Sequence, residues 1–224
     1  MANHPRIRLE NLSLDTLGPR DLIAPNFRVW ELTRSELATR LGIDNAFPGD
    51  RELRAAVNLA RRVMQPIRDA FGGFTPNSVF RSQALERALK DKPAGWISTS
   101  QHTTGCACDL EIPGQTTLGF AEWARDNLPD YDQIICECYD PLKGPNSGWV
   151  HISLRPEDQG ANRKMLLSYI RDPASGRMVY VEGSRRFASG QPGCSYPLHC
   201  SSRRHDPHKS SDRCCRAHHN SDSG

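Results

Sequence analysis

The sequence predicts an α+β domain, and two observations support that prediction. Helical periodicity dominates residues 50–128, whereas short β-rich runs separated by turn residues cluster between residues 131 and 182. Helices that precede a group of strands favour an α+β fold over alternating βαβ units, which would build a parallel sheet. No internal repeat is visible in the sequence that would point to a solenoid or a propeller.

The longest helix is predicted over residues 50–71, DRELRAAVNLARRVMQPIRDAF. Apolar residues recur there at three- and four-residue spacing, which places them on one helix face. Asp50 is a suitable N-cap. Pro66 is expected to kink or restart the helix, because proline lacks a backbone N–H and clashes with the preceding turn. The apolar positions are Leu53, Val57, Ala60, Met64, Ile67 and Phe71.

Shorter elements follow along the chain. SVFRS, residues 78–82, is predicted as a short strand, and Ser82 as the N-cap of a helix that ends near Lys90. TTLGFAEWARDNL, residues 116–128, is predicted as a third helix with one apolar face. The four later β-rich runs are YDQIICE, WVHISL, MLLSYIR and MVYVE.

The composition changes near residue 183 and suggests three segments. We expect an N-terminal extension over residues 1–25, the main domain over 26–183 and a disordered or aberrant tail over 184–224. The tail is rich in Ser, Arg, His, Gly and Pro, so it has too little apolar surface to offset the entropy of ordering. It also holds four Cys and five His, but their spacing fits no zinc-finger pattern.

The net charge of +3 comes from this tail. Residues 184–224 carry seven basic and three acidic side chains, which leaves residues 1–183 at about −1. A nucleic-acid-binding protein would place basic charge on its folded part, so we expect no nucleic-acid partner.

Neither a membrane span nor a secretory signal is evident in the sequence. No apolar run approaches the roughly 20 residues of a membrane helix. The first residues, MANHPRIRLENLSLD, are charged and contain no apolar core of a signal peptide. We therefore expect synthesis in a reducing cytoplasm without membrane insertion, where the eight Cys are thiols or metal ligands rather than disulfides.

A candidate metal site lies in SQHTTGCACDLEI, residues 100–112, and in GWVHISL, residues 148–154. His102, Asp109 and His151 form a set of two imidazoles and one carboxylate, which is typical of catalytic zinc and leaves a fourth position for water. Zinc makes such a water acidic enough to supply hydroxide near neutral pH. Asp109 begins an apolar stretch, where an unpaired charge would be costly without a cation.

The cysteines offer a competing site. Cys106 and Cys108 form one C-x-C pair, and Cys136 and Cys138 form another. Residues two apart share a strand face, so two adjacent strands could hold a structural zinc with four thiolates. Small buried thiols are the simpler interpretation.

These motifs resemble those of the zinc D-Ala-D-Ala carboxypeptidase and L-alanyl-D-glutamate peptidase family, which has the hedgehog/DD-peptidase fold. The family pattern S-x-H-x-x-G-x-A-x-D, followed by W-x-H, is matched over residues 100–109 and 149–151. Segments 26–45 and 63–82 resemble the branch common in phages and prophages. The resemblance covers about residues 26–171 and implies a small antiparallel sheet with helices packed on it.

The resemblance also implies roles for individual residues. It implies one Zn²⁺ per chain, held by His102, Asp109 and His151, with Cys106 and Cys108 at the family's variable small positions. Arg81 and Ser100 are expected to bind substrate, and a guanidinium suits a carboxylate or carbonyl of the peptide. Some members carry a Glu three residues before the last His, where this chain has Gly148. The segment DQIICE, residues 132–137, resembles the family's D-Q-x-I-x-E segment, and this resemblance makes Glu137 the expected general base.

The expected function is that of a zinc metallopeptidase which hydrolyses a peptide bond in the peptidoglycan peptide stem. The alternative is a non-catalytic zinc-containing module of the same fold that binds or organises the cell wall. We expect a monomer whose partner is the peptide stem. Such a protein would reach the wall after lysis or within a phage particle.

Overall fold

Two β-sheets and six α-helices make up the described part of the chain, which in this computed structural model comprises residues 7–172 and 174–184. This is the α+β class that the sequence predicts. The helices are α1 (Val29–Thr33), α2 (Glu36–Leu41), α3 (Asp50–Leu59), α4 (Gln65–Phe71), α5 (Gln83–Lys90) and α6 (Thr117–Asn127). The strands are β1 (Leu22–Ala24), β2 (Phe27–Arg28), β3 (Ala107–Leu110), β4 (Gln133–Glu137), β5 (Trp149–Ser153), β6 (Met165–Arg171) and β7 (Met178–Glu182).

The larger sheet has five strands in the order β3-β5-β4-β6-β7. Its neighbours are antiparallel except for β4 and β6, which are parallel, so the sheet is mixed rather than purely antiparallel. Strand β5 ends beside the first residue of β4, since Ser153 pairs with Gln133. A short connection from that point starts β6 at the same end of β4, where Met165 also pairs with Gln133. Strand β6 therefore runs in the direction of β4.

The two faces of this sheet carry different residues, because successive strand residues point to opposite faces. One face belongs to the main hydrophobic core, together with apolar side chains of α3, α4 and α6. The other face carries Asp109, His151 and Ile135 side by side on β3, β5 and β4. The core face includes Cys108, Leu110, Ile134, Cys136, Val150, Ile152 and Ile170.

The long predicted helix is present, and it is interrupted where the sequence places proline. A π-helical turn over Ala60–Met64 separates α3 from α4, and Pro66 lies in the first turn of α4. Proline fits there because the π-helical turn interrupts the regular hydrogen bonds of the α-helix, so the backbone N–H that proline lacks is not required. The N-cap is Gly49 rather than Asp50. The Asp50 carboxylate instead accepts a hydrogen bond from the backbone N–H of Leu14 (2.8 Å), outside the helix.

The remaining sequence expectations differ in outcome. Ser82 caps α5 as predicted, since its Oγ accepts from the N–H of Leu85 at 3.2 Å. The segment predicted as a strand over residues 78–82 makes only an isolated bridge, between Ser78 and Asp109. Strands β1 and β2 and helices α1 and α2 were not predicted, because each has six residues or fewer and shows little periodicity.

The ends of the chain bear on the expected boundaries. Leu12 and Ile23, which precede the expected boundary at residue 25, belong to the same core as Met64. The tail predicted over residues 184–224 lies outside the described residues, apart from Ser184. Within the described part of the chain, no helix is both long and apolar enough to cross a membrane.

Gly105 permits α3 to lie against the turn that precedes β3. Its φ is +73°, a left-handed conformation that favours glycine. A Cβ at this position would lie 2.4 Å from the carbonyl oxygen of Glu52 in α3. Any side chain would therefore push the turn and the helix apart.

We expect Gly105→Ala to destabilise the protein more than Gly114→Ala. Gly114 has a similar φ of +78° but open space around it, so its substitution costs only the left-handed strain, about 1–2 kcal/mol. The clash should add about 1–3 kcal/mol for Gly105→Ala. Urea unfolding of both variants measures the difference, and equal losses of stability would show that the close approach to α3 is unimportant.

Candidate metal centre

His102 is held by a short turn between α5 and β3. The turn, Gln101–Thr104, is a 3₁₀ helix that ends at the left-handed Gly105. The His102 Nδ1 atom lies 2.7 Å from the carbonyl oxygen of Val79. Because a carbonyl oxygen can only accept, Nδ1 carries the proton and donates it, which leaves Nε2 with its lone pair. Nε2 is thus the atom available as a ligand.

Asp109 and His151 are brought together by strand pairing. They are directly paired residues of the antiparallel strands β3 and β5, so their side chains project from the same face. Asp109 Oδ1 lies 3.0 Å from His151 Nδ1. His102 Nε2 lies 3.2 Å from each of these two atoms. The three atoms form a nearly equilateral triangle.

This triangle fits a tetrahedral metal ion. With bonds of about 2.0–2.1 Å to nitrogen and oxygen, two ligands of a tetrahedral zinc are about 3.4 Å apart. The observed separations of 3.0–3.2 Å are close to that value. All three residues are buried, and they form the group that the geometry of the described residues singles out as able to hold a metal ion. Two imidazoles and one carboxylate are among the donor sets that catalytic zinc uses.

The electrostatic setting favours the ligand form of Asp109 and His102, whereas the pKa of His151 is shifted the other way. Burial alone would raise the pKa of Asp109, but His102 and Arg81 outweigh it and hold that pKa well below its usual range. Burial, followed by the charge of Arg81, lowers the pKa of His102. Burial opposes the charged form of His151 as well, but the hydrogen bond and charge of Asp109 raise its pKa. Asp109 is therefore ionised and His102 neutral near neutral pH.

Arg81 contacts the triangle from one side. Its Nη2 donates to Asp109 Oδ2 and lies 3.0 Å from His102 Nε2. Nη1 donates to Glu86 at 2.9 Å, and Nε donates to the hydroxyl of Ser78 at 2.8 Å. The side chain is only 15% exposed. The structure therefore places the predicted substrate-binding arginine directly beside the predicted metal ligands.

Glu137 lies on the face of the sheet that carries the triangle. It is two residues from Ile135, the β4 residue that pairs with His151. Burial, reinforced by the negative charge of Asp109, raises the pKa of the Glu137 carboxyl, while His151 and Arg81 act against the shift. Glu137 is thus a carboxylate within electrostatic reach of the ligands that is not one of them.

Gly148 explains why no carboxylate stands at the other expected position. Its φ is +71°, and a Cβ there would lie 2.0 Å from the carbonyl oxygen of Glu137. The backbone of Glu137 therefore occupies the space that a side chain at residue 148 would need. In this chain a glutamate at residue 148 is sterically incompatible with the present course of β4.

Ser100 has a local contact in the structure. Its hydroxyl accepts from the N–H of His102 at 3.4 Å, so it caps the turn that carries this ligand. Its role in substrate binding stays a prediction. Asp132 is fully buried and accepts from the Gln101 side chain at 3.0 Å and from Arg163 at 2.5 Å. It thereby fixes the residue before His102.

The cysteines do not assemble into the alternative thiolate site. Strand β5 lies between β3 and β4, and Cys108 and Cys136 both point into the core. Burial raises the pKa of Cys108 well above its usual value and that of Cys136 to about 12, so both stay protonated. Cys138 is disulfide-bonded, contrary to the expectation that all eight cysteines are reduced. Cys106, Cys108 and Cys136 are free, buried thiols that fill space in the interior.

Sequence reasoning missed Glu86, which anchors Arg81 from α5. Glu86 and Lys90 are spaced four residues apart, a pattern typical of an exposed helix pair. In the structure the Glu86 side chain is completely buried. No sequence signal distinguishes this glutamate from a solvated one.

Comparison with protein-family models gives a match. A family model described as Peptidase M15 matches residues 25–153, more than half of the chain. The matched range contains Arg81, Glu137 and the three residues of the triangle. Searches of curated proteins and of solved structures gave no significant match.

We expect the purified protein to bind about one zinc ion. The His102→Ala variant should lose it, because the two remaining ligands, Asp109 and His151, are too few to hold zinc. Cys108→Ala, a substitution on the opposite face of β3, should retain the metal. Elemental analysis after exhaustive dialysis measures both. Full zinc content in His102→Ala would rule out the triangle as the binding site.

Proposed function

Because the chain belongs to the peptidase M15 family, the family of the zinc D-Ala-D-Ala carboxypeptidases, we propose that it hydrolyses a peptide bond in the peptidoglycan peptide stem with one zinc ion. The observation that supports this most strongly is the buried triangle of His102, Asp109 and His151, with separations of 3.0–3.2 Å. Its donors are those of catalytic zinc, and three protein ligands leave one position for water or substrate.

His102 Nε2, an oxygen of Asp109 and His151 Nδ1 would hold the metal. When bound, zinc supplies Lewis-acid polarisation of the scissile carbonyl and lowers the pKa of water. The protein's contribution is to fix the ligands. The hydrogen bond from His102 Nδ1 to Val79 orients one ring, and strand pairing orients Asp109 and His151. A ligand set oriented in this way binds metal more tightly and sets its geometry.

Arg81 would bind the substrate beside the metal. A guanidinium carries five N–H donors, and those of Arg81 reach Ser78, Glu86, Asp109 and His102. The donor that faces His102 Nε2 becomes available when this nitrogen serves as a metal ligand. It can then meet a carboxylate or carbonyl of the peptide, and Ser100 at the start of the turn would flank it.

Glu137 would move the proton. A general base takes a proton from the attacking water and passes it to the leaving amine. Among the carboxylates near the triangle, Asp109 is a proposed ligand and Glu86 is held by Arg81 and Lys90. Position 148 cannot carry a side chain beside the Glu137 carbonyl. The carboxylate of Glu137 is therefore our candidate for this step.

Some family members carry a glutamate where this chain has Gly148, so a second function is considered. In it, the protein is a zinc-containing module that binds the wall without cleaving it. Incubation with purified peptidoglycan separates the two. New free amines in the digest support the peptidase, and sedimentation with the wall without amine release supports the module.

The setting of the reaction is part of the proposal. We propose a monomer that acts on the wall after lysis or as part of a phage particle, either as a carboxypeptidase or as an endopeptidase. The sequence predicts the domain over residues 26–183, and we propose that it also includes the preceding segment, because Leu12 and Ile23 belong to its core. Identification of the products from defined muropeptides distinguishes loss of a terminal D-alanine from internal cleavage.

We expect Glu137→Gln to lower kcat about 10²–10⁴-fold, since general base catalysis contributes that much, while zinc content is unchanged. Glu111→Gln is the matched control, because Glu111 is an exposed carboxylate near β3 that binds Asn77 at 2.8 Å. Muropeptide hydrolysis followed by chromatography gives both rates. Wild-type kcat in Glu137→Gln would exclude this residue as the base.

A further inference from the structure

Glu86 is a buried carboxylate that the proposed reaction does not use directly. Its side chain has no exposed surface, although it lies on the eight-residue helix α5. One oxygen, Oε1, accepts from Arg81 Nη1 at 2.9 Å. The other, Oε2, lies 2.6 Å from Lys90 Nζ and accepts from Ser98 Oγ at 2.9 Å. A buried charge of this kind is costly unless it is paired. Both oxygens of Glu86 have partners.

The guanidinium of Arg81 is held by three anchors from different parts of the chain. Ser78 binds Nε, Glu86 binds Nη1 and Asp109 binds Nη2. A planar group bonded at all three nitrogens has one orientation. Glu86 comes from α5, whereas Asp109 comes from β3, so the two carboxylates hold the guanidinium from different elements.

Charge balance gives Glu86 a specific task. Asp109 attracts the only positive side chain that contacts the triangle among the described residues, Arg81. A second carboxylate, bonded to a different nitrogen of the guanidinium, opposes a shift of Arg81 further onto Asp109. The second oxygen of Glu86 is occupied by Lys90 and Ser98, so the carboxylate itself is fixed.

We propose that Glu86 is a positioning residue that holds the Arg81 guanidinium in the orientation that binds substrate beside the metal. This inference rests on the proposed function, in which Arg81 anchors the peptide stem. Glu86 touches neither the ligands nor the substrate, so its whole effect on the reaction passes through Arg81. Loss of its charge weakens substrate binding and leaves the metal in place.

The first test is Glu86→Gln, which keeps the shape and one acceptor but removes the charge. With soluble muropeptides as substrate, KM should rise about tenfold, the effect expected for loss of one charge-assisted hydrogen bond. The value of kcat should change less than about threefold, because uniform binding is lost rather than transition-state stabilisation. Zinc content should equal that of the wild type.

Glu111→Gln is the matched control, since it makes the same exchange at an exposed carboxylate that accepts from Asn77 rather than from Arg81. Its KM should stay within about twofold of the wild type. Glu86→Asp keeps the charge and should recover part of the lost affinity. If Glu86→Gln does not fold, as judged by circular dichroism, Glu86→Asp tests the proposal through its shorter side chain: KM should rise above the wild-type value, and an unchanged KM overturns the proposal.

A double-mutant cycle decides between positioning and a general effect on the fold. In an Arg81→Ala background, Glu86→Gln should change KM by less than about twofold, because the residue through which it acts is gone. The same tenfold rise in both backgrounds, or a fall in kcat with unchanged KM, overturns the proposal.

The proposed peptidase activity is tested separately, with the wild-type protein alone. If the wild type binds muropeptides without hydrolysing them, the peptidase is refuted, and the dissociation constant from calorimetry replaces KM in the same cycle. If the wild type neither hydrolyses nor binds them, both the proposed function and the role of Glu86 are overturned.

Discussion

The buried carboxylate of Asp109 is the charge on which the arrangement of the site depends. It lies on a strand whose next residues enter the hydrophobic core, and an isolated ion there would cost several kcal/mol. Two imidazoles and a guanidinium surround it, and these neighbours keep it ionised. The same concentration of negative charge and nitrogen lone pairs is what a divalent cation requires. The need to compensate Asp109 thus connects the fold to the chemistry.

The fold meets this need with two rigid constraints. Antiparallel pairing of β3 with β5 fixes Asp109 and His151 opposite each other. Close backbone approaches at two left-handed glycines fix the rest, since Gly105 brings the His102 turn against α3 and Gly148 lies against the carbonyl of Glu137. The core fills the opposite face of the sheet and supports both strands from behind. The site is therefore built mainly on paired strands, which position side chains more accurately than free loops.

Much of this could be predicted from local sequence signals. Strands β6 and β7 coincide with the runs MLLSYIR and MVYVE, because alternation and β-branched residues mark half-buried strands. The residue types make His102, Asp109 and His151 one candidate ligand set, and the family resemblance favours it over the cysteines. The structure brings the three residues together. The sequence could not reveal the parallel β4–β6 pair, which depends on where a connection starts. It could not reveal the burial of Glu86 either, because burial is decided by segments distant in the chain.

X-ray absorption at the zinc edge of the reconstituted protein tests the central claim most directly. The account predicts a first shell of nitrogen and oxygen only, at about 2.0–2.2 Å, with the multiple-scattering signal of two imidazoles. A shell of sulfur at about 2.3 Å would contradict it, because it would place the metal on the cysteines instead of on His102, Asp109 and His151.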